Sequence, residues 1–268
     1  MEQVKIFPLT HINIEITKQN SIKEALDNVQ PDIVINAAAY NNVDESESNI
    51  SKAFLVNGLA NKYLAEYCKK RNSILVCISS DYVFGDDEKR NTPYIESDCP
   101  GPVNTYGISK LVGEYLVSST WKKYFVIRTS GLFGIANSSG KGRNFIATML
   151  QLAKEKKEIS VVNDQIISPT YTRDLAKQIR YLIKTNAFGL YHASAEGQCS
   201  WYEFAKTIFR LTKTTVLIQP ISSSLYQSAA KRPSYSVLEN QSLKKLGIHT
   251  MRNWKEGLYD YLQEKEYI

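Results

Sequence analysis

A continuous apolar run, Ile74-Leu75-Val76-Cys77-Ile78, ends in Ser79-Ser80-Asp81-Tyr82-Val83-Phe84. Apolar residues without polar alternation belong to a strand buried on both faces, as strands are inside a parallel sheet covered by helices. Asp32 to Ala39 has the same character and closes on three alanines, and Tyr124 to Ser130 reads as a further strand. Between the first two, Ala53, Leu55, Val56, Ala60, Leu64 and Cys68 form a helical stripe from about Ser48 to Lys70. Strands alternating with helices specify an α/β chain.

A second group follows Pro100 and Pro102: Tyr106-Gly107-Ile108-Ser109-Lys110, in the first turns of a helix. Residues four apart share a helix face, so the Tyr106 hydroxyl and the Lys110 ammonium can enter one cleft. With the Ser80 hydroxyl at the end of the preceding strand they make a proton-transfer group. A nearby ammonium favours the phenolate, so the Tyr106 pKa is expected below its ordinary value of about 10.

The rest of the chain narrows the function by exclusion. The formal charge is +6, but the 33 basic residues are scattered. Lys69-Lys70-Arg71 and Lys154-Glu155-Lys156-Lys157 are the densest groups, and both fall at expected helix ends, where cations are favoured. Nucleic acid is therefore not an expected partner. No apolar stretch approaches the roughly 20 residues that span a bilayer, and Met1 to Lys5 lacks a signal-peptide layout, so no membrane and a cytoplasmic location are expected. Cys68, Cys77, Cys99 and Cys199 show no C-x-x-C spacing, and His11, His192 and His249 are far apart. No metal site is expected, and the cysteines read as reduced, packed thiols.

In chain order, Val4 to Phe7 reads as a short strand, and Ser21-Ile22-Lys23-Glu24 as a capping box opening a helix to about Val29. Asn144-Phe145 opens a helix to about Lys154, followed by a strand at Ile159 to Val162 and the segment Asn163 to Thr170. Another helix begins near Thr172, and a second capping box, Ser200 to Glu203, opens one to about Leu211. The Gly/Ser-rich stretch from Gly131 to Phe145 follows a strand and reads as a substrate lid.

Ser-Ser-Asp-Tyr-Val-Phe followed by Tyr-x-x-x-Lys resembles the extended short-chain dehydrogenase/reductases, and more narrowly the dTDP-4-dehydrorhamnose reductases, with Ser80 in the place of the family's threonine. Asn36-Ala37-Ala38-Ala39, Asn163-Asp164-Gln165 with Pro169-Thr170, and Arg232-Pro233 also have counterparts there, so the resemblance covers nearly the whole chain. It implies a Rossmann-like doubly wound parallel sheet with a small C-terminal substrate lobe, divided as 1–135 and 136–268 and interleaved. It implies hydride transfer from NADPH or NADH to the 4-keto group of a dTDP-linked 6-deoxyhexose, the nucleotide-sugar partner, and a homodimer is expected. Tyr106 is then the proton donor, Lys110 holds the cofactor ribose and Ser80 hydrogen-bonds the carbonyl. Glu15, Ile16, Ala39, Tyr40 and Asn41 lie along the cofactor, Asp81 and Tyr82 line the sugar, and Arg232 clamps the diphosphate or is an exposed turn residue. Asn57, an amide within an apolar stripe, supports the lysine region. Relatives commonly have Trp at the position of Gly131, which leaves the exact sugar open.

One part of the pattern is absent. The family's first strand and Gly-rich turn have no counterpart, because the first glycine is Gly58; the match starts at the second strand, with Val4 to Phe7 in that place. The expectation is a sheet short of its first βα unit, with a natural start upstream. Without that turn, a non-catalytic binding homologue, like the regulatory subunit of methionine adenosyltransferase, is the alternative from another class. A nucleotide-sugar epimerase or dehydratase is the nearest enzyme rival, although dehydratases usually carry Asp-Glu where this chain has Asp81-Tyr82.

Overall fold

A computed structural model of the chain describes residues 4–136 and 143–268. Its architecture rests on the strands β1 (Ile33–Asn36), β2 (Ile74–Ser80), β3 (Tyr124–Thr129), β4 (Glu158–Val162), β5 (Gly189–His192) and β6 (Leu217–Ile221). The helices that matter here are α1 (Gln19–Val29), α2 (Val43–Ser48), α3 (Ala60–Arg71), α4 (Thr105–Thr120), α5 (Phe145–Glu155), α6 (Thr172–Leu182), α7 (Trp201–Leu211) and α8 (Trp254–Glu264). The main sheet has the order β1-β2-β3-β5, and every pairing in it is parallel.

Alternation along the strands sends side chains to two helical layers. Leu75, Cys77 and Val126 pack with Ile22 and Leu26 of α1, Leu64 and Cys68 of α3, and Val117 of α4. Val76, Phe125 and Ile127 face the other way, onto Leu175, Ile179 and Leu182 of α6. Helices on both faces explain why these strands read as unbroken apolar runs. Both β5 and α6 come from beyond residue 135, so the sheet draws on the two halves of the chain. The second half also builds a core of its own: β4 pairs in parallel with β6, and Ile146, Phe204, Ile208, Trp254, Leu258 and Tyr261 pack together with Phe133 and Tyr171.

Three local expectations are corrected. Val4 to Phe7 forms no strand, and Val4 and Ile6 are 74% and 79% exposed. Apolar composition makes a strand only where a neighbour supplies hydrogen bonds, and β1 pairs only with β2 among the described residues. The Ser21 capping box does not form. α1 starts at Gln19, and the Ser21 hydroxyl instead accepts the Glu15 N–H at 2.9 Å. Cys99 is exposed while the other three thiols are buried, and all four are free. The capping box at Ser200 and Glu203 is present in full. Residues 137–142 of the expected substrate lid lie outside the described residues.

Candidate active site

The parallel pairing brings the carboxyl ends of β2 and β3 side by side, with Ser80 opposite Thr129. Beyond Ser80 the chain tightens into one 3-10 turn, Asp81–Val83, capped by the Ser80 hydroxyl, which accepts the Tyr82 N–H at 3.1 Å. Tyr106 is the second residue of α4, whose N-cap Asn104 accepts the Gly107 N–H at 2.8 Å. Gly107 is what lets this helix end meet the turn: a Cβ there would lie 2.1 Å from the Tyr82 carbonyl oxygen. The Tyr82 and Tyr106 rings consequently meet edge to face, with centroids 5.8 Å apart. One turn on, the Lys110 ammonium is buried and donates to the Ile78 carbonyl at 2.6 Å.

Burial governs the charges of this group. The Lys110 ammonium has been taken out of water, which pulls its pKa down to about 8. Tyr106 moves opposite to the expectation. Burial pushes it up to about 12, the Ser80 hydroxyl beside the phenol opposes this, and the Asp81 charge adds to it. Lys110 spends its charge near the Ile78 carbonyl and does not offset the loss of solvent around the phenol. A tyrosine so placed keeps its proton at neutral pH, which suits a donor.

Asn57 occupies a π-helical turn, Phe54–Leu59, and its amide makes three bonds. It accepts the Tyr40 N–H at 2.9 Å and donates to the Tyr40 carbonyl at 3.0 Å and the Ser109 hydroxyl at 2.9 Å. The segment holding Ala39, Tyr40 and Asn41 is thus tied to the residue preceding Lys110. Glu15 and Ile16 sit before α1. The Glu15 carboxylate is committed to the Thr17 hydroxyl and N–H, and Ile16 is buried.

Arg232 is placed beside Tyr82, whose phenol its charge affects, but it is already paired. Its guanidinium grips Asp44 of α2 at 2.7 and 3.1 Å. Gly131 has φ of +53°, and a Cβ there would lie 3.1 Å from the Pro169 Cα, so this glycine marks a crossing of two chain segments and not open space. Asp81, expected against the sugar, is 3% exposed, and both of its carboxylate oxygens receive serine hydroxyls.

Sequence reasoning missed the partners that lock these pieces. Glu47 of α2 accepts the Thr105 N–H and hydroxyl at 2.8 and 2.9 Å, placing a carboxylate on the positive end of α4. Glu114, one turn past Lys110, forms a buried pair with Arg128 at 2.7 Å and also accepts the Ser79 hydroxyl. Only Glu114 carried a sequence signal, being an acid on the buried side of a helix.

The residues present fit the nicotinamide–ribose end of a dinucleotide. Ala37 and Ala38 are exposed small residues at the carboxyl end of β1, and the Ile78 bond takes one of the three Lys110 protons, leaving donors for ribose hydroxyls. Among the described residues no Gly-rich turn is present for the pyrophosphate.

Comparison with known proteins identifies the family. The family model described as the RmlD substrate binding domain matches residues 1–267. The spore coat polysaccharide biosynthesis protein SpsK of Bacillus subtilis is 40% identical over 97% of this chain and 89% of its own length. A dTDP-4-dehydrorhamnose reductase of Burkholderia thailandensis is 36% identical over 94% of this chain and 88% of its own. The solved dTDP-4-dehydrorhamnose reductase of Bacillus anthracis in complex with NADP superposes with a TM-score of 0.93 at 39% identity, covering 98% of this chain and 91% of that one. The chain belongs to the dTDP-4-dehydrorhamnose reductase family.

Proposed function

We propose that this protein reduces the 4-keto group of a dTDP-linked 6-deoxyhexose with a nicotinamide cofactor. The observation that carries the reading is the convergence of Ser80, Tyr106 and Lys110 at the carboxyl end of the parallel sheet, where ligands bind in open α/β folds. The NADP-bound relative from B. anthracis favours NADPH as the coenzyme.

When bound, the reduced nicotinamide supplies the hydride. The chain's own residues do the remainder. Lys110 holds the cofactor ribose through its free ammonium protons. Tyr106, protonated at neutral pH, gives its proton to the carbonyl oxygen as the ketone becomes an alcohol, and the resulting phenolate recovers a proton from solvent. Ser80 orients the reacting groups, and Arg232 reaches the substrate diphosphate by exchanging Asp44 for it.

The test is nucleotide-sugar-dependent loss of NADPH absorbance with dTDP-4-dehydrorhamnose, alongside the Tyr106→Phe variant. Turnover that falls by roughly two or more orders of magnitude in the variant, at nearly constant KM, is the expected result. Cofactor binding without any turnover of the keto sugar would assign the chain to the non-catalytic alternative.

A further inference from the structure

Two successive turns of α4 dock on two successive residues of β2. Lys110 donates to the Ile78 carbonyl at 2.6 Å, and four residues on, on the same helix face, Glu114 accepts the Ser79 hydroxyl. The carboxylate is completed from β3, where Arg128 stands opposite Ser79. The guanidinium Nε lies 3.0 and 3.2 Å from the two carboxylate oxygens, and its Nη2 lies 2.7 Å from one of them. The same guanidinium covers the Phe84 ring, 5.0 Å from its centroid. Both side chains of the pair are withdrawn from water, Arg128 at 3% and Glu114 at 9% exposure.

Stability is a poor account of such a pair. Taking two ions out of water costs about as much as their attraction returns, and apolar residues of similar volume often hold the same elements as well or better. The helix already docks that way one turn further on, where Val117 packs with Leu75, Cys77 and Val126. What a hydrocarbon contact cannot supply is a charge at a fixed place. Lys110 needs one: burial pulls its pKa down to about 8, and Cys77 and Glu114 oppose the fall. Burial pushes the Cys77 thiol of β2 up to about 12, and Tyr106, one turn before the lysine, also to about 12, so both are uncharged where Lys110 titrates. Arg128, reaching in from β3, is turned onto the carboxylate. Glu114 is left as the anion acting on the ammonium.

We propose that Glu114 is a positioning residue for Lys110: bound by Arg128 and Ser79, it seats α4 on β2 one residue beyond the lysine's own contact and supplies the fixed negative charge against which the ammonium is held for the cofactor ribose. This deepens the reductase reading and rests on it for its kinetic consequence. Glu114 itself touches neither cofactor nor sugar in this role; it acts through Lys110.

The experiment follows the carbon-13 resonance of the Lys110 Cε, assigned by its loss in Lys110→Met, from about pH 6 to about pH 11 without cofactor or substrate. Two variants remove the anion. Glu114→Gln keeps the shape of the side chain, and Glu114→Leu together with Arg128→Met replaces the whole pair by hydrocarbon, so that no unpaired guanidinium is left buried. Each lowers the Lys110 midpoint by about one pH unit from its value near 8. A midpoint that stays where it is in either folded variant overturns the proposal. Kinetically, kcat/KM for NADPH in the double variant falls about tenfold at about pH 9 and stays within about twofold at about pH 6, where the lysine is protonated in both proteins. Equal losses at the two pH values mark a merely structural pair and overturn it as well. Because the resonance needs no turnover, it decides on Glu114 even if the chain does not reduce the keto sugar, an outcome that counts against the reductase reading alone.

Discussion

Replacing Gly107 by Ala sets two known effects against each other. In a helix interior Ala is favoured over Gly by about 1 kcal/mol, so a reading based on local propensity expects a more stable protein. The structure expects the reverse. The new Cβ would sit 2.1 Å from the Tyr82 carbonyl oxygen, whereas an unstrained carbon–oxygen contact is about 3.3 Å. The first turn of α4 and the 3-10 turn must therefore part by roughly 1 Å. Both are backbone, so neither can rotate away as a side chain would, and overpacking of this kind costs typically 1–3 kcal/mol. The net is a loss of up to about 2 kcal/mol, read as a fall in Tm of up to several degrees for a chain of this size. The same displacement moves Tyr106 off Ser80, and a misplacement of about 1 Å lowers kcat by about a hundredfold. Calorimetry and steady-state kinetics on one purified variant measure both. A Gly107→Ala protein that melts higher than wild type and turns over normally would show that the turn and the helix do not meet as described.

Two further substitutions test the site from other sides. Lys110→Met should abolish turnover yet raise stability at neutral pH by about 2 kcal/mol, since depression of the lysine from 10.5 to about 8 corresponds to a burial cost of about 3 kcal/mol, and the Ile78 carbonyl left unpaired returns about 1. The folded pKa lies below the unfolded one, so the penalty is full below about pH 8 and vanishes as pH rises towards 10.5; a stability gain that does not shrink over that range in thermal melts contradicts the assignment. Gly131→Ala should cost about 1–2 kcal/mol, because φ of +53° disfavours any side chain and its Cβ meets Pro169 at 3.1 Å, while leaving cofactor affinity unchanged in a fluorescence titration.

What could be read from the sequence was whatever local periodicity decides. Unbroken apolar runs located β2 and β3, a spacing of four put Tyr106 and Lys110 on one face of α4, and Ser200 with Glu203 announced α7. Val4 to Phe7 misled because strand propensity carries no information about whether a neighbour exists. The Tyr106 pKa misled for a related reason: the cation four residues away is visible in the sequence, and the loss of solvent around the phenol is not. The Asp81 hub was hidden by distance along the chain, Ser130 lying 49 and Ser236 lying 155 positions away, and serines are too common to stand out. Asp44 and Glu47 carried no signal in the sequence, because only the fold brings the loop of Arg232 and the first residue of α4 against them.

The amide at position 57 limits which sequences can keep this site. Its oxygen must receive one N–H while its nitrogen serves two acceptors on different segments. Aspartate has the length but offers no proton, and would face the Tyr40 carbonyl with a charge. Glutamine has the right groups one methylene too far out, in a π-turn where Asn57 is 1% exposed. Leucine fills the volume and strands the backbone of Tyr40 without partners. None of these three replacements keeps the cofactor-side segment and the lysine-bearing helix in register. The residue is held by hydrogen-bond valence, while the apolar positions around it are free to exchange one hydrocarbon for another.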